Sequence, residues 1–436
     1  MDDAAQNTTS SDPKQPVSAV PAPDSTIPAP EVKKEEFSSP AVTPIPQQEE
    51  EKDTTSTVEK DARKNTLDTL SFDNKPSGSA SPATSASQIE KLEEKVKSVK
   101  LPQELNDKVT AMINRLKLIG SDSSFFIELD STSRYIDWVT NLPWDKSSKD
   151  ILDLAHAQQV LDKNHYGLTE VKEKILQYLS IMILKDTRGL GGADQFARAP
   201  IISVVGLAGV GKTTIAYSIA EALGRKIERI PFGGMGSASQ LRGKTRLFAD
   251  AEPGLIIKAL RRAGTNNPVI LLDEIDRVSE DARADIMGVL IELLDPSQNK
   301  AFTDHFIDYP TDLSNVLFIA TSNNTKDIST AVLDRLEIIQ MPSYTDDEKT
   351  VIGKSFVFPQ VLKESGMTEK DIAISEDVWE EFIIRPLGYD PGIRSLQRVI
   401  QGIVRKVVFL ELQGKLPKDQ QFILTRDNVK QFVSQW

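Results

Sequence analysis

Apolar positions first recur regularly at Ile89, Leu92, Val96 and Val99, at three- and four-residue steps that predict an amphipathic helix from about Gln88. Pro102 stands where a first helical turn tolerates proline, and Leu105, Val109, Met112 and Leu116 carry a second stripe. A third apolar stretch runs from Phe125 through Tyr135, Ile136, Trp138 and Val139, and Leu142-Pro143-Trp144 stops it. Leu154, Val160 and Leu161 belong to a further helix, His165-Tyr166-Gly167 to a turn, and residues 171–184 to a longer helix. Short apolar runs then alternate with helical ones. Residues 201–205, 226–231, 269–272, 315–321 and 337–341 read as strands, and 212–223 as a helix. The run 269–272 has no polar interruption, as a strand covered by helices on both faces requires. This alternation predicts a largely parallel sheet in an α/β sandwich. Beyond Pro342 the strand signals thin, and helices over 345–354, 376–384 and 391–412 predict a smaller all-helical lid.

Four segments follow: a tail over 1–87, a helical region over 88–150, an α/β domain over 151–342 and a helical lid over 343–436. The tail is dense in Pro, Ser, Thr, Glu and Lys, with Phe37 and Phe72 as its only aromatics. Such a composition buries too little apolar surface to offset its ordering entropy, so a disordered tail is expected.

Composition narrows the functions open to the chain. With 64 acidic and 52 basic residues its formal net charge is −12, which argues against duplex DNA as the main partner. It has no cysteine, which excludes disulfides, thiolate metal sites and a cysteine nucleophile. The three histidines, His156, His165 and His305, are too scattered to suggest zinc. No apolar run approaches the ~20 residues of a membrane span, and the acidic start lacks the features of a secretory or mitochondrial leader. A cytoplasmic protein without membrane contact is expected.

The chemistry is concentrated at two places. Gly206-Leu207-Ala208-Gly209-Val210-Gly211-Lys212-Thr213, followed by Thr214, has the spacing of a phosphate-binding loop set between a strand and a helix. Its glycines let backbone N–H groups wrap a phosphate, and the helix that follows adds its dipole. Lys212 would reach the β- and γ-oxygens, and the Thr213 hydroxyl would ligate Mg²⁺. The second place is the strand ending in Asp273-Glu274. Two carboxylates at the end of a buried strand are costly unless used: Asp273 for the metal, Glu274 to polarise the attacking water. Asp276 and Arg277 read as a solvated turn. Asn323, after the strand that ends near Thr321, would orient the water. Arg335 follows a short helix and would reach a neighbour's γ-phosphate. Arg394, in a helix expected to open at Asp390-Pro391 as N-cap and N1, would point back at the nucleotide. Each of the three is equally open to reading as a structural ion-pair residue.

Laid out together, these residues resemble the ATPase part of the Lon family, from Gln88 to Trp436. The resemblance is carried by Tyr135-Ile-Asp-Trp138, Leu142-Pro-Trp144, His165-Tyr-Gly167, the phosphate loop, Pro253-Gly254 and Leu271-Leu-Asp-Glu-Ile-Asp276. It continues through Glu292-Leu-Leu-Asp-Pro296, Asn299, Asp304-His305, Thr321-Ser-Asn323, Leu333-Asp-Arg335 and Gly392-Ile-Arg394. It implies a ring-forming AAA+ module, hexameric, that binds ATP and Mg²⁺ and pulls unfolded protein through a pore in protein quality control. By position Asn323 would be sensor 1, Arg335 a finger acting across subunits, and Arg394 sensor 2. Tyr166 and Gly167 would line the adenine pocket, and Phe248 would be the pore aromatic. The chain departs from the family in showing no segment like its Ser-Lys peptidase site. The expectation is therefore an unfoldase without a peptidase of its own. The alternatives are the ATPase half of a split protease, with a separate protease as partner, and a non-proteolytic scaffold.

Overall fold

The structure, a computed structural model, describes residues 82–119, 123–188, 201–416 and 420–433. The tail expected over 1–87 lies outside the described residues as far as residue 81. The first helix, α1 (Pro82–Lys97), opens inside its expected span.

Helices α1, α2 (Gln103–Ile119) and α3 (Ser123–Thr140) pack on one another along the expected stripes. Ile89, Leu92, Val96, Leu105, Val109 and Leu116 are buried. On α2 the buried residue between Val109 and Leu116 is Ile113, four positions after Val109; Met112 lies a step to the side and is only partly buried. Tyr135 on α3 is fully buried and donates its hydroxyl to Ile307 O at 2.9 Å.

Helices α4 (Leu154–Asn164) and α5 (Thr169–Thr187) lead into β1 (Ile201–Val205) and α6 (Lys212–Leu223). Next come β2 (Ile227–Pro231), α7 (Ser239–Arg242), α8 (Leu255–Ala263), β3 (Val269–Asp273) and α9 (Arg283–Leu294). A hairpin of β4 (Phe302–Thr303) and β5 (Pro310–Thr311) precedes β6 (Leu317–Ser322), α10 (Thr330–Leu333) and β7 (Leu336–Gln340). The five long strands form one parallel sheet in the order β2-β3-β6-β1-β7. Every residue of β3 and β6 is buried, because helices cover both faces. One apolar cluster joins α4, α5 and α6 to Ile202, Val204, Leu271 and Ile319. The other joins α1–α3, α8 and α9 to Ile270, Leu272 and Phe318 on the opposite face. The alternation along β3 thus divides its side chains between the two layers.

The remaining elements are α11 (Asp346–Ile352), α12 (Phe358–Glu364), β8 (Ile372–Ile374), α13 (Glu376–Val378), α14 (Arg394–Leu412), β9 (Phe422–Leu424) and α15 (Val429–Phe432). They enclose their own cluster around Trp379, Leu396 and Ile400. This region is not all helical, since β8 and β9 pair in parallel. α14 begins at Arg394, not at Pro391. The Asp390 carboxylate accepts the Gly392 N–H in a local turn at 3.1 Å, and the Ile393 N–H is spent on Gly209 O at 3.0 Å. Both bonds hold the chain out of the helix until it has crossed the phosphate loop.

Candidate active site

The parallel sheet sends β1, β3 and β6 to a common edge, and the chemistry-bearing residues stand just past their C-terminal ends. After β1 the loop turns on Gly209 (φ 86°) and Gly211 (φ 97°), a left-handed backbone that side chains resist. α6 then starts at Lys212, with Gly211 as its N-cap and no side-chain cap, so its first N–H groups face the loop. Lys212 is 7% exposed, and its ammonium is folded into the loop. It donates to Gly206 O at 2.7 Å, Leu207 O at 2.9 Å and Asn323 Oδ1 at 2.9 Å. Burial pulls its pKa below the ordinary lysine value; Asp276, Glu274 and Asp273 oppose that pull, and Arg394 adds to it.

Asp273 ends β3 with 3% exposure and both carboxylate oxygens engaged. Oδ1 accepts Thr321 Oγ1 at 2.5 Å and lies 3.4 Å from Thr213 Oγ1. Oδ2 takes the Arg229 guanidinium through Nε at 2.6 Å. Glu274 follows with φ 58°, one of three non-glycine residues in the left-handed region among those described. Such a conformation costs about 1–3 kcal/mol and persists only where the surroundings hold it. Here Thr321 holds it: Oγ1 accepts the Glu274 N–H at 3.0 Å, and the Thr321 carbonyl accepts the Ile275 N–H at 3.0 Å.

Asp276 is not part of a solvated turn. It is 5% exposed, and its Oδ2 accepts the backbone N–H of Asn323 at 3.1 Å and of Asn324 at 3.3 Å. It therefore sets the position of Asn323, whose Nδ2 is buried with no hydrogen-bond partner. The signal for Asp276 was its three-residue distance from Asp273, one turn beyond the strand end; Thr321 stood in the Thr321-Ser-Asn323 match with no role attached to it, and Arg229 carried no signal.

A cleft of about 300 Å³ is lined by Ala208 to Thr214, Asp273, Glu274, Asn323 and Arg394. Lys212 and Asp273 thus face one open space. Tyr166 is on its wall, 40% exposed. Gly167 is set back, turning the chain at φ 62° beside Glu348. His165 binds Ser218 Oγ at 2.8 Å, and burial pushes its pKa down to about 4, helped by the Lys172 charge. Tyr344, which no motif flagged, donates to Val210 O at 3.1 Å and has its pKa pushed up to about 12 by burial. Residues of the lid (Ile352, Phe356, Val357 and Gln397) close the far side.

Two of the expected residues stand elsewhere. Arg335 pairs with Asp295 at 2.9 Å and donates to Ala331 O at 2.7 Å, outside this chain's own cleft. The Asp295 carboxyl is held well below the usual range, first by the Ser297 hydroxyl and then by Arg335. Phe248 is 60% exposed and the adjacent Leu247 92%, so neither is a core residue. The base of their loop is pinned by Arg246, whose guanidinium lies 4.0 Å from the Tyr135 ring centroid.

Among the described residues no group of His, Asp and Glu forms a self-sufficient metal site, and no helix is long and apolar enough to cross a membrane. A magnesium ion fits this donor set as part of a nucleotide complex, with the Thr213 hydroxyl beside a buried carboxylate oxygen.

Residues 202–344 match the family described as ATPase family associated with various cellular activities (AAA). A Lon protease of Lawsonia intracellularis (strain PHE/MN1-00) is 40% identical over 346 residues, which is 79% of this chain and 40% of that protein. The Lon protease of Mycoplasma mycoides subsp. mycoides SC is 38% identical, over 80% of this chain and 42% of that protein. For the Lon protease of Dictyoglomus thermophilum the figures are 42%, 73% and 39%. A parallel sheet with a phosphate loop facing paired acids, closed by a lid, defines an AAA+ ATPase module. The chain belongs to the Lon family and carries that family's AAA+ module. It spans about two fifths of the length of the relatives it matches.

Proposed function

We propose that this chain hydrolyses ATP and, assembled into a ring with copies of itself, applies the released energy to an unfolded polypeptide. The observation that carries the reading is the cleft in which Lys212 and the glycine-rich loop face Asp273 and Glu274. On ATP binding the Lys212 ammonium exchanges two loop carbonyls and Asn323 for the β- and γ-phosphate oxygens, which its partial burial favours. Thr213 and Asp273 would hold Mg²⁺, which would supply positive charge against the negative charge of the phosphates. Glu274 accepts the proton of the attacking water, and the unpartnered Nδ2 of Asn323 orients that water. Arg394 meets the nucleotide from the lid, and Tyr166 borders the base.

Arg335 completes the neighbouring site rather than its own. Its exclusion from its own cleft supports this, as does its orientation by Asp295. Phe248 and Leu247, apolar and exposed on a loop anchored at Arg246, suit a grip on side chains of a passing chain. A hexameric ring, the unfolding activity and a role in protein quality control belong to the same proposal. No peptide cleavage is assigned to these residues; a peptidase acting with them in one assembly is the second reading, favoured by the printed name of the relatives.

The deciding measurement follows phosphate release and peptide cleavage together when purified protein is given ATP and an unfolded protein. Stimulated phosphate release is expected. Absence of any ATP turnover removes the proposal, and Phe248→Ala with undiminished stimulation removes the grip alone.

A further inference from the structure

Arg229 is in no sequence motif, yet it makes the closest contact that either acid of the pair receives from a cation. It stands in the middle of β2, the edge strand, and reaches across to the end of β3. Both Nε, at 2.6 Å, and Nη2, at 2.5 Å, converge on Asp273 Oδ2. The Asp273 side chain is 4% exposed while that of Arg229 is 49% exposed, so the guanidinium is the solvent-side cover of a sealed carboxylate. The other oxygen, Oδ1, has separate company in Thr321 Oγ1 at 2.5 Å and Thr213 Oγ1 at 3.4 Å. Lys212 takes no part, since its three bonds go to Gly206, Leu207 and Asn323.

The two oxygens therefore have different tasks. The terminal torsion of an aspartate is broad and two-fold, so a carboxylate held by one partner can swing. Held at Oδ2 by Arg229 and at Oδ1 by Thr321, it keeps one face turned toward Thr213. We propose that Arg229 is a positioning residue for the divalent cation: it balances the buried charge of Asp273 and keeps Oδ1 turned to the metal side. This rests on the reading of the cleft as a Mg²⁺-nucleotide site. A guanidinium does this better than an ammonium, because two N–H groups of one plane fix the oxygen in direction as well as distance. The opposite role, a cation that occupies the carboxylate until metal displaces it, predicts the opposite sign in the same titration.

The test is binding of a fluorescent ATP analogue to the whole chain while Mg²⁺ is titrated, with no turnover required. Loss of an outer partner typically weakens metal affinity by about 10–100-fold, so Arg229→Gln is expected to raise the Mg²⁺ midpoint at least roughly tenfold. Binding of the analogue without Mg²⁺ should change less than the Mg²⁺ midpoint does, because Arg229 borders the cleft while the phosphate contacts of the loop are untouched. Arg229→Lys keeps the charge but not the fork, and an intermediate rise of about threefold is expected. If Arg229→Gln does not fold, as judged by its thermal transition, Arg229→Lys decides the matter by itself. Midpoints equal to the parent, or lowered, overturn the proposal while leaving the ATPase reading intact. A parent chain with no Mg²⁺-dependent binding removes the functional reading, and this role with it.

Discussion

Adjacent acids at one strand end differ in what surrounds them. Asp273 has both oxygens committed and is sealed in, whereas among the described residues the Glu274 carboxyl has only Arg277, at 3.4 Å, as an ion-pair partner. The first can hold a fixed ligand position and the second can move onto a water, which is the division of labour the proposed reaction needs. Glu274→Gln should keep nucleotide affinity and lower turnover by ~10²–10⁴-fold, measured as phosphate release beside equilibrium binding. Turnover within a factor of about two of the parent removes Glu274 from its role. His165 supports a different prediction. Its folded pKa of about 4 lies below the ordinary imidazole value of 6.5, so the unfolded chain binds more protons between those values. Its contribution is complete above pH 6.5 and is lost as pH falls toward 4. Thermal melts over that window should show a decline that His165→Asn reduces; an unaltered slope would mean that other groups dominate it.

At the scale of elements, the lid and the phosphate loop meet at a point where no side chain fits. A Cβ on Gly392 would lie 2.6 Å from the Gly209 carbonyl carbon and 2.8 Å from Ala208 O. The next residue donates its N–H to Gly209 O, so the approach also carries a hydrogen bond. Gly392→Ala must push α14 and Arg394 off the loop. Overpacking of this kind costs about 1–3 kcal/mol, and nucleotide affinity is expected to fall roughly tenfold by calorimetry. Gly402→Ala, inside α14 with nothing within 4 Å of the new methyl, is the control and should leave affinity unchanged. Equal effects from both would show that the close approach at Gly392 is not what is being read.

For the molecule as a whole, the proposed role of Arg335 at a neighbour's site would make activity a property of pairs of subunits. Arg335→Ala chains should bind nucleotide normally and hydrolyse it ~10³–10⁵-fold more slowly. Mixing them with Glu274→Gln chains, themselves inactive, should restore part of the turnover. At a mixed contact the Arg335→Ala site keeps its own Glu274 and receives Arg335 from the Glu274→Gln neighbour. Mixtures as inactive as their components would place Arg335 back within its own chain. Phosphate release per subunit should also rise with protein concentration, since a site completed across an interface is lost on dilution.

The sequence by itself determined the parallel sheet, because uninterrupted apolar runs between amphipathic helices admit few other packings. It also determined the loop at Gly206 to Thr213 and the strand end at Asp273-Glu274, because local spacing there dictates local backbone. Where a helix begins, and which residue of a stripe is innermost, was decided by contacts from afar: Gly209 claims the Ile393 N–H, and the bundle takes Ile113 over Met112. The partners that orient the acids were decided in the same way. Thr321 stands 48 positions from Asp273, Arg229 stands 44, and the Asp276 carboxylate bonds the backbone of Asn323 across 47. Periodicity reports only on neighbours along one element, whereas hydrogen bonds between adjacent strand ends exist only after the sheet has brought those ends together.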